Sequence, residues 1–369
     1  MVSFQPSEDQ QLIRDTVAAF ARDEVRPLSH EVDESGQVPE AIVQKGWDLG
    51  IAQSTVPEAY GGAGDARSAI SGALIAEELA YGDLSMALHL LSPRLLIHPV
   101  VDMGTPEQKE SVLGGYVGDA FVAGTAAIVE PRYDFDLTAM ATTATPANGT
   151  YVLNGSKCFV PLADRAAHLL VYARTEEREG YDAVSGFLVP RDAPGLTVLE
   201  REKNMGIKAL ATYELRLENC RVPAAQRLGG AAGCDFARLM NLSRVAVAAL
   251  AVGVARAAFE HARDYAKERR AFGVAIGQKQ AIAFMLAEMA IEIDAARLLA
   301  WEAAWKLDRG EDATREAYLA KNYAAAMALK VADNALQVFG GHGYIRENLV
   351  ELWVRNARGF ATLDGLAIA

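Results

Sequence analysis

The sequence predicts an α+β chain in three segments: a helical N-terminal domain over residues 1–118, a β-domain over 119–232 and a helical bundle over 233–369. Three observations predict it. Apolar residues recur at near-helical spacing through the first third, the middle breaks into short β-rich runs between turn residues, and the last third returns to long alanine-rich stretches. No strand–helix–strand alternation and no Gly-x-Gly-x-x-Gly occurs, which argues against a Rossmann dinucleotide fold.

Taken in order, Ser7 stands before Glu8 and Asp9 as an N-cap stands before an acidic first turn, and Leu12, Val17, Phe20 and Val25 mark the buried face of the helix that follows. A more apolar helix is expected over residues 69–81, carrying Glu77 and Glu78. Strands are expected over residues 121–129, over 151–153 after the Asn148-Gly149 turn, and over 169–173, 186–189 and 213–217. Beyond Gly233, helices are expected over residues 237–267, 278–308 and 314–339, separated by breaks that contain Gly or Asp. Three long helices and a fragment make a bundle.

Composition narrows the function classes. A chain of 369 residues with 51% apolar content supports a large core divided among two or three subdomains. No predominantly apolar stretch of about 18 residues is free of charge, which argues against a membrane span. The N-terminus, Met1-Val2-Ser3-Phe4-Gln5-Pro6-Ser7-Glu8-Asp9, has acidic residues early and no basic segment leading into an apolar run, so it does not read as a secretory leader. Cys158, Cys220 and Cys234 are too few and too scattered for a disulfide framework or a zinc site, so no metal is expected and a reducing cytoplasm is the expected compartment. A net charge of −12, with Lys and Arg spread along the chain, argues against nucleic acid.

Six segments then coincide with one family in that family's own order: Glu77-Glu78-Leu79-Ala80-Tyr81-Gly82, Leu153-Asn154-Gly155-Ser156-Lys157, Met205-Gly206-Ile207, Arg221-Val222-Pro223, Arg269-Arg270-Ala271-Phe272-Gly273, and Gln337-Val338-Phe339-Gly340-Gly341-His342-Gly343-Tyr344. Together they span nearly the whole chain, and on them the sequence resembles the flavin-dependent acyl-CoA dehydrogenases. The resemblance implies an N-terminal helical domain, a middle β-barrel and a C-terminal four-helix bundle, usually assembled as a tetramer. It also implies FAD lying between the middle and last domains and across a subunit interface, an acyl-CoA substrate, and an electron-transferring flavoprotein as oxidant. On this likeness Arg269 would pair with the FAD pyrophosphate, Phe272 would pack on the cofactor, and Gln337, Gly340 and Gly341 would reach the ADP portion from the neighbouring subunit. Arg269 also reads as a surface arginine, and the glycine pair as a helix C-cap.

The sequence departs from the family pattern in two places. The usual Thr-Glu-Pro and Gly-Ser-Asp run reads Val129-Glu130-Pro131-Arg132-Tyr133-Asp134-Phe135-Asp136, with Val129 for the threonine and Phe135 for the serine beside the thioester. The flavin-facing Trp-Ile-Thr reads Phe159-Val160-Pro161. Three hydroxyls are missing, each worth about 1–3 kcal/mol if its buried partner stays unpaired; Tyr133 or Thr125 is the expected compensation. The second departure is the base. The family's Tyr-Glu-Gly-Thr corresponds to Leu363-Asp364-Gly365-Leu366, which puts Asp364, one methylene shorter, at the position of the α-proton acceptor. Some members carry the base instead just before an arginine of the first C-terminal helix, here Ser243-Arg244, where a serine without a histidine is no general base. Alicyclic acyl-CoA enzymes resemble this chain in using aspartate. Asp364 also reads as a surface turn residue.

Two functions follow from the resemblance. One is an active FAD-dependent α,β-dehydrogenase with Asp364 as base and Arg244, Arg94 and Phe135 near the substrate. The other is a non-catalytic or half-site subunit paired with a paralogue, or a relative with other flavin chemistry. Arg94 would welcome a distal carboxylate or sulfinate if it faces the acyl pocket, and would otherwise snorkel or pair with an acid.

Overall fold

The computed structural model describes residues 5–369. Met1–Phe4, the opening of the stretch read as lacking a secretory leader, lies outside the described residues. Seven helices build the first segment: α1 (Glu8–Phe20), α2 (Ser29–Ser35), α3 (Glu40–Asp48), α4 (Ala69–Gly82), α5 (Leu84–Leu91), α6 (Arg94–Met103) and α7 (Pro106–Leu113). Ser7 caps α1 as expected, in a reciprocal capping box with Gln10. Helices α4, α5 and α6 are apolar on nearly every side, and nearly every residue in them is buried.

The middle segment is a seven-stranded mixed sheet forming a half-barrel: β1 (Thr125–Ala127), β2 (Thr143–Ala147), β3 (Thr150–Pro161), β4 (His168–Arg174), β5 (Val184–Pro190), β6 (Leu196–Arg201) and β7 (Thr212–Pro223). The order is β1-β4-β2-β3-β7-β6, with β5 also on β4. Asn148 and Gly149 both adopt left-handed backbone, at φ 47° and 78°, which matches the β2–β3 hairpin to the strand twist. The β3–β7 pairing slips between Lys157 and Val160.

The last segment holds α8 (Phe236–Glu268), a two-residue hairpin of β8 (Arg270–Ala271) and β9 (Val274–Ala275), then α9 (Gln280–Asp308), α10 (Thr314–Phe339) and α11 (Val350–Gly359). Helix α8 is the axis of the molecule, packing on α9, α10 and α11 of the bundle and on α4 of the first segment. Gly253 permits the α4 crossing, since a Cβ there would lie 2.2 Å from the Glu77 carbonyl oxygen. Two helical segments, Leu84–Met103 and Phe236–Glu268, are long and apolar enough to cross a membrane, but 94% and 89% of their apolar windows are buried inside the protein. Each is a core element, which accounts for its hydropathy.

Candidate functional site

After α11 the chain makes a tight turn that carries Asp364 against three elements. The Lys321 ammonium, on α10, donates to the Ala361 carbonyl at 3.2 Å and to Asp364 Oδ2 at 3.3 Å. The Gly365 N–H donates to Ser243 Oγ on α8 at 3.1 Å. Gly365 has φ 74°, and a Cβ there would come 2.5 Å from Ile128 Cδ1, so the turn rests directly on the segment leading into Val129. The two positions at which the family resemblance allows a base, Ser243 and Asp364, are therefore neighbours, and only Asp364 is a carboxylate.

The wall beside this turn is built by a buried ion pair. The Lys157 ammonium is fully buried and donates to the Ile128 carbonyl at 2.8 Å and to Glu130 Oε1 at 3.2 Å. Glu130 in turn accepts the N–H groups of Thr142 at 2.7 Å and Ala141 at 2.8 Å. Burial pushes the Lys157 ammonium down to about 8, against the pull of Glu130. The pair fixes the chain on both sides of Val129, whose carbonyl accepts the Cys158 N–H at 2.9 Å. The next residue, Phe159, takes left-handed backbone at φ 54° where the β3–β7 register slips, and its N–H donates to Glu202 Oε1 at 3.1 Å. Pro161 is buried at the end of β3, and Phe135 is half-buried against the main core.

The expected hydroxyl replacements differ in placement. Tyr133 is fully exposed, at 102%. Thr125 is fully buried in β1, and its hydroxyl has no protein partner.

Arg244 follows Ser243 on α8, and its guanidinium donates to the Tyr181 hydroxyl at 2.7 Å and to Asn241 Oδ1 at 3.3 Å, with the Tyr318 ring 5.6 Å away. It is a buried cation held by neutral groups beside the candidate base. Arg94 is held by backbone. It is buried with its guanidinium on the Ile51 carbonyl, 2.8 Å from Nε, and burial pushes it down to about 9. Its Nε and Nη2 both donate to that carbonyl, so the side chain does not snorkel to the surface.

The remaining predicted residues gather at the other end of α8. Arg269 is the C-cap of α8, exposed and with no side-chain partner among the described residues, and Phe272 is 95% exposed at φ 54°. Tyr265, one turn before Arg269, stacks on Phe339 at 3.9 Å, which brings Gln337, Gly340 and Gly341 to the same end of the bundle. All three are exposed, and a Cβ at either glycine would meet open space. An unpaired guanidinium, an open aromatic ring and bare backbone are the donor set that a flavin dinucleotide's pyrophosphate and adenosine need, so the residues fit FAD. They lie at the opposite end of α8 from Ser243. Arg269 lies 26 residues beyond Ser243 on one helix, about 39 Å at 1.5 Å per residue, which exceeds the span of one dinucleotide.

Lys321, Glu202 and the Glu130–Lys157 pair were not assigned from sequence; Lys157 stood in a recognised motif, but nothing local marked it as buried. Two clefts of about 670 and 650 Å³ lie by Trp301, between residues 5–14 and α9, and Asp364 lines neither.

Comparison with known proteins bears on the same residues. Residues 7–118, 125–220 and 235–367 match the N-terminal, middle and C-terminal domains of acyl-CoA dehydrogenases. The chain is 37% identical over 361 residues to a probable acyl-CoA dehydrogenase of Bacillus subtilis, covering 97% of this chain and 94% of the relative. It is 34% identical over 364 residues to the caffeyl-CoA reductase–Etf complex subunit CarC of Acetobacterium woodii, covering 97% and 95%. Among solved structures, the butyryl-CoA dehydrogenase of Megasphaera elsdenii superposes with a TM-score of 0.88 at 33% identity, covering 98% of this chain and 96% of that one.

Proposed function

Because this chain belongs to the acyl-CoA dehydrogenase family, we propose that Asp364 is the base in its FAD-dependent α,β-dehydrogenation of an acyl-CoA thioester. The chain is a flavin-dependent oxidoreductase acting on acyl-CoA. The observation that carries the Asp364 assignment is its position in a pinned turn beside Ser243 and Ile128, with Oδ2 paired and Oδ1 open. FAD, when bound, supplies the acceptor for the hydride that leaves the β-carbon. Asp364 Oδ1 takes the α-proton, and the buried Ile128, Leu363 and Leu366 around the turn keep water from competing for it. Phe159 and Val129 would supply an apolar wall in place of the hydroxyls, and backbone groups would hold the cofactor at this edge.

Arg269, Phe272, Gln337, Gly340 and Gly341 would hold the dinucleotide end for a second copy, because one chain's two half-sites are too far apart for one cofactor. The outer face of α9 supports that assembly. Phe284, Ile291, Leu298 and Trp305 recur every seventh residue and are all exposed, an apolar stripe suited to helix–helix packing. A homo-oligomer, in the family's usual form a tetramer, is the reading; an electron-transferring flavoprotein as oxidant accords with the Etf-complex relative, and a cytoplasmic location with the sparse cysteines.

The test begins with the purified chain: bound flavin that bleaches anaerobically with butyryl-CoA or cyclohexanecarbonyl-CoA supports the enzyme, and Asp364→Asn should slow that bleaching by at least about a hundredfold with little change in binding. Equal rates would take the base role from Asp364. Colourless protein that gains flavin only beside a paralogue would favour the half-site subunit.

A further inference from the structure

The geometry points to Lys321 as the positioning residue for proton abstraction, a lysine of α10 that aims the Asp364 carboxylate by clamping its turn. This rests on the reading of Asp364 as base. Lys321 sits in an otherwise apolar seam of α10, flanked by buried Ala317, Ala320 and Ala324, and is itself buried. An ammonium in such a seam is costly unless its donors are engaged. Both of the acceptors it finds belong to the base turn: the Ala361 carbonyl at 3.2 Å and Asp364 Oδ2 at 3.3 Å. One ammonium thus ties the start of the turn to its tip.

The turn is held from two other directions. Ser243 Oγ on α8 accepts the Gly365 N–H at 3.1 Å, and Ile128 of the middle domain blocks any side chain at Gly365. Lys321 closes the third side and takes only Oδ2, so Oδ1 is the oxygen left to receive a proton. The pair remains reachable, with the Asp364 side chain 29% exposed. An aspartate has one torsion fewer than a glutamate, so its carboxylate goes where the backbone puts it. A short base therefore depends on a rigid turn more than a long one does, and a misplacement of about 1 Å in a reacting group can cost about a hundredfold in rate.

The experiment uses the FAD-loaded oligomer, mixed anaerobically with whichever of butyryl-CoA and cyclohexanecarbonyl-CoA reduces the parent faster, so that flavin bleaching gives a saturating rate and a dissociation constant separately. Lys321→Met is expected to lower the saturating rate by at least about tenfold and to leave the dissociation constant within about threefold, whereas Lys321→Arg keeps most of the rate. In the Asp364→Asn background the same substitution should lower the rate no further, because the lysine acts through the carboxylate. Hydrogen exchange gives a second reading independent of substrate: the Gly365 amide should lose protection in Lys321→Met while α8 and α10 keep theirs. If Lys321→Met does not accumulate as folded protein, Lys321→Gln against Lys321→Arg makes the same comparison. Parental rate in Lys321→Met, a loss confined to the dissociation constant, or an equal loss with Asp364 already replaced would each overturn the positioning role. An Asp364→Asn variant as fast as the parent would remove the base reading beneath it, and the single Lys321 variant separates that failure from its own.

Discussion

Phe159 is the residue where backbone strain and the chemistry of the site coincide. A left-handed aromatic residue costs about 1–2 kcal/mol, and here the cost is borne at the β3 register slip, where Glu202 captures the freed N–H. The left-handed residue interrupts the alternation of the strand at this position. At the far end of α8, Arg269 has no side-chain partner among the described residues, so its charge is free for a pyrophosphate. Arg269→Ala should weaken FAD retention by roughly 2 kcal/mol, about thirtyfold, measured by flavin release on dialysis, with little change in melting temperature of the flavin-free chain; unchanged retention would make Arg269 a surface residue. The motif residues Asp364, Phe159 and Arg269 were readable in sequence because each sits in a contiguous pattern. Lys321 and Glu202 were not, since a lysine in an alanine-rich helix and a glutamate in a polar run mean nothing until the fold brings a partner from elsewhere in the chain.

Helices show how far local pattern reaches. The long alanine-rich α10 begins at Thr314 and ends at Phe339, as its periodicity predicts, whereas β2 and β6 were missed for opposite reasons. The sequence of β2, Thr-Ala-Thr-Pro-Ala, offers only small side chains and a proline, and is a strand because β3 and, at Thr143, β4 pair with it; β6 lies at the sheet's edge and ends in charges. The α4–α5 junction carries a pH response of its own. Asp83 ends α4 and caps α5, accepting the Met86 N–H at 2.9 Å, and is buried. Burial first, and Asp33 among the later contributions, push its carboxyl up to about 6, although the Met86 bond opposes this. With the unfolded value near 3.9, the unfolded chain ionises first as pH rises, so folding loses up to about 3 kcal/mol between about pH 4 and 6 and no more above that. Asp83→Asn keeps the cap and removes the charge. Its melting temperature relative to the parent should climb through that window and then level off; a difference constant from pH 4 to 8 would mean Asp83 titrates normally.

All three segments of the molecule meet at one carboxylate. Asp33 on α2 is buried, and accepts Arg355 of α11 at 3.0 and 2.7 Å, Arg346 at 2.7 Å and Lys208 of the middle segment at 3.4 Å. Arg355 also donates to the Met205 carbonyl at 3.1 Å, and its neighbour Asn356 accepts the Ile207 N–H at 2.8 Å, so the Met205-Gly206-Ile207 motif is held by the helix that leads into the base turn. Gly206 is required there, since a Cβ would lie 2.6 Å from the Arg355 carbonyl oxygen. Composition gave three segments but could not give this junction, whose three groups of members, Asp33, residues 205–208 and residues 346–356, lie more than a hundred residues from one another and share no local pattern. Burial works to raise the Asp33 carboxyl, and Arg355 with Lys208 overcome it, leaving its pKa below the ordinary carboxylate range. A lowered folded value means the contribution is fully present above about pH 4, the unfolded value, and is lost as pH falls through the folded one. Asp33→Asn would remove the carboxylate that two guanidinium groups and an ammonium share, leaving Glu351 to Arg355 and Glu34 with Glu351 to Arg346. The loss at pH 7 should be about 2–4 kcal/mol, below the upper range for breaking a buried pair because Arg346 and Lys208 are partly exposed. Urea unfolding of parent and variant at pH 7 and at successively lower pH checks it: the difference should be large at pH 7 and should shrink as pH falls below about 4. Because α11 leads into the base turn, Asp33→Asn should also slow flavin reduction at pH 7 even where the protein remains folded; parental stability and parental rate together would show that the junction at Asp33 holds neither the segments nor the site.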